Sequence, residues 1–276
     1  MFYSDRDFES LYDEGLTALM RGDLTSAETL FKEALEFKKD SHLVYYQLGR
    51  CYIRKGDIRK AEEMFKESLK FQSVHVPTLA ELGFIYLLYG DAVKAREFFE
   101  KSLNIRPSHS KSLIGVSACE FTMGNWDSAY EWATKSVELG GSHFMALLIL
   151  GKCAKVLGFV EKSEEILQKA EDLMGKSAEV SPDQPETYFL RGEIALLQGK
   201  FSKALEFFKE TEKHLSGENR TYYFYHESFN LAVVLAKQLI CLKHLEKRED
   251  AKKLAEKILS IEPDNKLAKS TLERSE

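Results

Sequence analysis

The stretch YYQLGRCYIRKGDIRKAEEMF, residues 45–65, decides the fold because its small and aromatic residues recur at a fixed distance along the chain. The recurring positions are Gly49, Gly56, Ala61 and Phe65. Their counterparts stand 34 residues later at Gly83, Gly90, Ala95 and Phe99, and 34 residues earlier at Gly15, Gly22, Ala27 and Phe31. A register kept over three periods indicates an internal repeat.

The repeat resembles the tetratricopeptide repeat (TPR), whose signature runs W-x2-L-G-x2-Y, A-x3-F and P over 34 residues. The best match consists of Tyr45, Leu48, Gly49, Tyr52, Gly56, Ala61 and Phe65, followed by Leu79, Leu82, Gly83, Tyr86, Gly90, Ala95, Phe99 and Pro107. The resemblance implies an all-α fold: a right-handed α-solenoid of about seven helix-turn-helix repeats, with a helix A and a helix B in each. It implies a single TPR domain over residues 1–276. The expected repeats are 8–41, 42–75, 76–109, 110–143, 144–184, 185–231 and 232–265, followed by a C-terminal capping helix at 266–276.

The repeat positions predict particular local structures. The second glycine of each repeat is expected to end helix A in a left-handed conformation. The residue after that glycine, at Asp23, Asp57, Asp91 and Asn125, is expected to cap helix B. The seventh repeat departs most from the pattern, with Leu239 and Glu246 at its two glycine positions; its signature rests on Ala251 and Pro263.

Composition excludes several classes of protein. The 39 Lys and Arg residues against 44 Asp and Glu residues give a net charge of −5, which argues against a nucleic-acid partner. The longest apolar run, 144–150, is too short to cross a bilayer, so no membrane insertion is expected. The first residues lack the basic and apolar regions of a secretory signal. We therefore expect a soluble, cytoplasmic helical protein.

Two inserts interrupt the repeats. The insert in the fifth repeat predicts a long helix B over 161–178. The insert in the sixth repeat predicts a turn at 216–219, followed by one helix over about 221–245. That helix would begin with the aromatic cluster Tyr222, Tyr223, Phe224 and Tyr225. Consecutive aromatic residues cannot all face one side of a helix. They either pack against the end of the superhelix or are exposed as a contact site.

Residues that could carry chemistry have structural interpretations. The four cysteines, Cys51, Cys119, Cys153 and Cys241, share one small-residue position of helix A and are expected to be buried and unreactive. The histidines His42, His75, His109 and His143 recur at repeat junctions, about one helix spacing apart, which is too far for one shared metal ion. Glu120 is expected to pair with Lys152 or Lys155. No catalytic motif is present, so we expect neither an enzyme nor a cofactor or metal.

The resemblance implies that ligands bind along the helix A residues. The expected peptide-binding groove consists of Tyr12, Leu16, Tyr46, Arg50, Arg54, Phe84, Leu88, Ile114, Leu148, Lys152 and Phe189. The Lys, Asn and Arg residues of the carboxylate clamp found in TPR co-chaperones are missing at the matching positions, which include Gln47 and Glu81. Phe84 either projects into the groove or belongs to the core.

These features predict a non-catalytic adaptor or scaffold that binds an amphipathic helix or apolar segment of a protein or peptide partner. The alternative is a self-assembling scaffold, a homo-oligomer built through the groove or the aromatic cluster.

Overall fold

The computed structural model describes residues 7–140, 143–215 and 220–273. In these ranges the chain folds into fifteen α-helices and one two-stranded hairpin. The helices are α1 (Phe8–Arg21), α2 (Leu24–Phe37), α3 (His42–Lys55), α4 (Ile58–Phe71), α5 (Val76–Leu88), α6 (Ala92–Ile105), α7 (Ser110–Thr122), α8 (Trp126–Gly140), α9 (Phe144–Val156), α10 (Val160–Val180), α11 (Pro185–Leu197), α12 (Phe201–His214), α13 (Leu231–His244), α14 (Arg248–Ile261) and α15 (Lys266–Glu273). The strands are β1 (Tyr222–Phe224) and β2 (Glu227–Phe229). No helix within these ranges combines the length and the apolar composition needed to cross a membrane.

The helices come in antiparallel pairs, as in TPR solenoids, and one pair falls within each predicted repeat. The predicted long helix B of the fifth repeat is confirmed, because α10 has 21 residues. The predicted capping helix is α15, which extends past Leu272 and buries Ala268 and Thr271. The rest of the predicted cap, 274–276, lies outside the described residues.

The chain divides into two compact units. The first consists of Met1–Met123 together with Tyr225–Glu227, and the second consists of Gly124–Phe224 together with Ser228–Glu276. The prediction that residues 1–276 form a single solenoid domain stays a prediction.

Helix boundaries follow the predicted capping residues. The carboxylates of Asp23, Asp57 and Asp91 each accept a hydrogen bond from the backbone N–H three residues later, at 3.0–3.1 Å. The glycine before each of them ends helix A with φ near 82°, as at Gly56 (φ 83°). These contacts satisfy donors and acceptors that the helix ends would otherwise leave unpaired.

The two helices of a repeat approach closely because a phenylalanine of helix B lies against the first glycine of helix A. A Cβ atom placed on Gly83 would lie 2.6 Å from the Phe99 ring, and one on Gly15 would lie 2.7 Å from the Phe31 ring. Both rings are fully buried, so they have little room to move away. The same pairing occurs at Gly49 with Phe65 and at Gly192 with Phe208.

The prediction of one helix over 221–245 is wrong in its first part. Residues 222–229 form the hairpin, and the helix α13 begins only at Leu231. Asn230 starts it, since its side chain accepts a hydrogen bond from Val233 N at 3.0 Å. Successive side chains of a β-strand point to opposite faces of the hairpin. The four aromatic residues therefore need not share one face, as a helix would have required for them to pack together. The turn predicted at 216–219 lies outside the described residues.

Substitution of Gly83 by alanine tests the close helix packing. We expect Gly83→Ala to lower the free energy of unfolding by about 2 kcal/mol, because the new methyl group overlaps the buried Phe99 ring. The matched control is Gly175→Ala in α10, where the nearest atom to the added Cβ would be 3.9 Å away. Gly175→Ala should be neutral or stabilising by up to about 1 kcal/mol, since alanine favours helix. Urea unfolding followed by circular dichroism measures both; equal effects would contradict the packing account.

The seventh repeat allows a stabilising prediction. Glu246 stands where other repeats have glycine, and its φ is 57°, in the left-handed region. Because a side chain costs about 1 kcal/mol in that conformation, Glu246→Gly should raise the free energy of unfolding by about this amount. Glu249→Gly, in the first turn of α14, should instead lower it by about 1 kcal/mol. Thermal denaturation distinguishes the two, and a destabilised Glu246→Gly protein would show the prediction to be wrong.

Candidate functional site

The first unit presents one face formed by its A helices, which we call the A-helix face: Tyr12, Tyr46, Gln47, Arg50, Glu81, Phe84 and Lys111. Hydrogen bonds join side chains along it, both between neighbouring A helices and within α3. The Gln47 Nε2 donates to the Tyr12 hydroxyl at 3.3 Å, and the Arg50 guanidinium donates to Gln47 Oε1 at 3.0 Å. The Arg50 guanidinium lies 5.9 Å from the centre of the Tyr46 ring. These two contacts hold the Arg50 guanidinium in place. Because Arg50 is exposed, the guanidinium is also accessible.

Tyr46 is half-buried and its ring packs edge-on against His75, with centroids 5.2 Å apart. Burial raises the pKa of the Tyr46 hydroxyl to about 12, and the nearby Glu81 carboxylate adds to this increase. Tyr46 is therefore a neutral hydrogen-bonding group at physiological pH.

Other predicted groove residues of the first unit differ in exposure. Arg54 is exposed, and its guanidinium donates to the backbone carbonyl of Leu19. Leu16 and Leu88 are half-buried. Ile114 is fully buried, so its side chain offers no surface to a partner.

Phe84 has a different environment from the one expected of an open groove residue. It is 3% exposed and lies between two aromatic rings, that of Phe99 at 4.9 Å and that of Tyr225 at 5.1 Å. Tyr225 belongs to the same unit and reaches it from the turn of the hairpin. The ammonium of Lys111 lies 5.5 Å from the centre of the Tyr225 ring and forms an ion pair with Glu81 at 2.6 Å.

Glu81 and Lys111 are not among the residues of the expected groove, although Glu81 stands at one of the ligand-binding positions of helix A. Their opposite charges, at nearby positions of consecutive A helices, were the available signal. Tyr225 was predicted only as part of the aromatic cluster, because nothing in the repeat pattern connects it to Phe84.

In the second unit the predicted groove residues are mostly packed. Leu148 is 1% exposed and Lys152 is half-buried. Phe189 is 3% exposed and stacks on Phe229, with centroids 4.2 Å apart. Of the aromatic cluster in this unit, Tyr222 is buried on Phe229, whereas Tyr223 and Phe224 are half-buried. The hairpin strands therefore contribute to the core here.

Two of the histidines at repeat junctions lie closer than one helix spacing. The rings of His42 and His75 are 5.1 Å apart. The Nδ1 atoms of His75 and His109 lie within hydrogen-bond distance of Thr78 and Ser112, at 2.6 and 2.9 Å. Across the described ranges, no three His, Cys, Asp or Glu side chains are arranged to hold a metal ion.

Burial, with smaller effects from Arg106 and Lys111, lowers the pKa of His109 to about 4 from its ordinary 6.5. The unfolded chain therefore binds more protons than the folded chain between these pH values, and stability should fall as the pH drops from 6.5 to 4. His109→Asn keeps a polar side chain near Ser112 but cannot titrate. We expect its free energy of unfolding to decrease less steeply over this pH range than that of the wild type. Denaturant titrations from pH 8 to 4 test this: the two slopes should agree above pH 7, and equal slopes below it would contradict the assignment.

Glu120 is 2% exposed, and its carboxylate pairs with Arg96 of α6 at 2.7 Å, a partner that the repeat pattern did not predict. The predicted pairing of Glu120 with Lys152 or Lys155 stays a prediction. The preceding helix B thus supplies a partner for Glu120. Lys155 donates to the backbone carbonyl of Leu197.

The cysteines are free and buried, as expected from their shared position on helix A. Burial raises the pKa of Cys119 and Cys153 to about 12 and that of Cys241 to about 11, and it also raises the pKa of Cys51. Thiols with raised pKa values are weak nucleophiles at neutral pH.

Comparisons with known proteins agree with this architecture. Residues 20–88 match the family model of the cilia and flagella-associated protein 70 middle TPR-like domain. No curated protein sequence matches.

Among solved structures, a tetratricopeptide repeat protein from Parabacteroides merdae is 18% identical, with a TM-score of 0.61 over 96% of this chain and 97% of the other. The APC/C hetero-tetramer Cut9–Hcn1 gives 15% identity and a TM-score of 0.69 over 97% of this chain and 47% of the other. PilF of Pseudomonas aeruginosa gives 14% identity and a TM-score of 0.50, over 86% of this chain and 98% of the other. The chain therefore has the tetratricopeptide repeat fold.

Proposed function

We propose that this protein is a non-catalytic scaffold, and that its A-helix face binds an amphipathic helix or apolar segment of a protein partner. TPR folds serve in protein–protein interaction, and Cut9–Hcn1, which shares the fold, is a hetero-tetramer. The observation that carries the proposal is the arrangement of Tyr12, Tyr46 and Arg50, three side chains of the types enriched at binding hot spots.

Arg50 is the best candidate for a binding hot spot. It is exposed, yet its hydrogen bond to Gln47 and its position beside the Tyr46 ring restrict its motion. A side chain already held in place loses less conformational entropy when a partner binds. Its guanidinium can pair with a carboxylate of the partner, while the Tyr46 ring contacts apolar side chains.

The partner segment should therefore carry both acidic and apolar residues. Arg54, one helical turn after Arg50, adds a second exposed positive charge on the same helix. An amphipathic segment with carboxylates beside its apolar stripe would match this surface.

Several features support a non-catalytic role. Burial raises the pKa values of the four cysteines and lowers the pKa of His109, so these side chains are neutral at physiological pH. Glu120 and Glu81, the buried carboxylates of the first unit, are each paired with a basic side chain. Such pairs stabilise packing and leave no acid–base couple for catalysis in them.

The affinity of selected peptides tests the proposal. Peptides would be selected from a random phage-displayed library on the immobilised full chain, then synthesised and titrated calorimetrically. We expect Arg50→Ala to weaken binding about tenfold or more, because a central arginine contact is lost.

The matched control is Arg59→Ala, which removes the same charge from an exposed position on helix B α4. It should change affinity less than twofold. If Arg59→Ala weakened binding as much as Arg50→Ala, the contact surface would not be the A-helix face. Selection of no peptide, together with concentration-dependent dimerisation in sedimentation, would favour the self-assembling alternative.

A further inference from the structure

The tip of the hairpin already occupies part of the A-helix face. The Tyr225 ring packs edge-to-face on Phe84, at 5.1 Å and an interplanar angle of 79°. The Lys111 ammonium lies 5.5 Å from the ring centre. Both contacts are ones that aromatic side chains prefer, a T-shaped pair and a cation against the π face. We call Phe84, Glu81 and Lys111 the aromatic subsite.

Contacts with neighbouring side chains fix the positions of Phe84 and Lys111 in the subsite. The Phe84 ring packs edge-on against the fully buried Phe99 ring, and the Lys111 ammonium forms an ion pair with Glu81 at 2.6 Å. Burial raises the pKa of Tyr225, with Glu81 adding to the increase. A neutral aromatic ring is thus the side chain that this environment favours.

The backbone that delivers Tyr225 is in an unfavourable conformation. Its φ is 51°, and apart from Glu246 it is the only residue other than glycine with positive φ in the described ranges. Two-residue hairpin turns usually place asparagine, aspartate or glycine at such positions. A tyrosine in this conformation is strained, and the contacts of its ring in the subsite favour keeping it there.

We infer that the aromatic subsite binds a tyrosine or phenylalanine side chain of the protein partner, and that Tyr225 fills it as an internal ligand which the partner displaces. This inference rests on the proposed function and specifies one anchor of the partner segment. Release of Tyr225 relieves its backbone strain and opens Phe84, which is 3% exposed while the tip is in place. A partner therefore needs an aromatic residue to recover the lost ring contacts.

Competition in trans provides the test. The probe is a fluorescein-labelled synthetic peptide with the sequence of residues 220–230, RTYYFYHESFN. It would be titrated by fluorescence anisotropy into the full-length wild type and into Tyr225→Gly, in which the subsite is empty. Glycine accepts positive φ without strain, so the variant should keep its fold, which circular dichroism checks. We expect the peptide to bind Tyr225→Gly at least tenfold more tightly than the wild type, because the internal ligand lowers the fraction of open sites.

Two controls separate the subsite from the rest of the hairpin. Tyr223→Ala removes a tyrosine from the same hairpin but leaves Tyr225 in place, so it should bind the peptide like the wild type. A peptide with alanine in place of Tyr225 should bind Tyr225→Gly at least tenfold more weakly than the unmodified peptide.

Equal binding to wild type and Tyr225→Gly, or no binding to Tyr225→Gly, would overturn the inference. Sedimentation of the wild type adds a further outcome: a dimer that the peptide dissociates would make a second copy the occupant and overturn the assignment to a foreign partner. The probe is part of this chain, so a failed Arg50→Ala test leaves these readouts unaffected, and the two proposals can fail separately.

Discussion

The contact between the helix B phenylalanine and the helix A glycine is the constraint on which the first unit depends. Phe31, Phe65 and Phe99 are fully buried, and each ring fills the space where the paired glycine would otherwise carry a side chain. Phe99 also lies against Gly115 of the next repeat, so one ring helps set the spacing within a repeat and between repeats. Repeat proteins gain most of their stability from such neighbour contacts.

The same rings support the candidate site. The ring centroids of Tyr12 and Phe31 are 5.9 Å apart, as are those of Tyr46 and Phe65. The centroids of Phe84 and Phe99 are 4.9 Å apart. The aromatic residues of the A-helix face therefore rest on the rings that hold each helix pair together. Binding residues placed on such a rigid support lose little freedom when a partner arrives, which favours affinity.

Much of the local structure could be predicted from the sequence because it depends on short spacings. A glycine that must adopt positive φ and an aspartate that caps the next helix both lie within one repeat. Glu120 shows where this reasoning stops. Its ion pair with Arg96 was missed, because this pairing depends on how helix B of one repeat meets helix A of the next.

The hairpin and the burial of Phe84 could not be predicted for a different reason. Residues 222–229 lie in an insert without repeat periodicity, and Tyr225 holds a turn conformation that its residue type rarely adopts. The exposure of Phe84 then depends on a side chain far away in sequence. Position in the repeat identified Phe84 as important, but only the three-dimensional contact shows what covers it.

Nuclear Overhauser effects between Phe84 and Tyr225 test the central claim most directly. In full-length protein with selectively labelled phenylalanine and tyrosine rings, the account predicts cross-peaks between the ring protons of these two residues. Cross-peaks between Phe84 and Phe99 serve as an internal reference, because that pair lies in the core of the first unit. A spectrum with the Phe84–Phe99 cross-peaks but without those between Phe84 and Tyr225 would contradict the account.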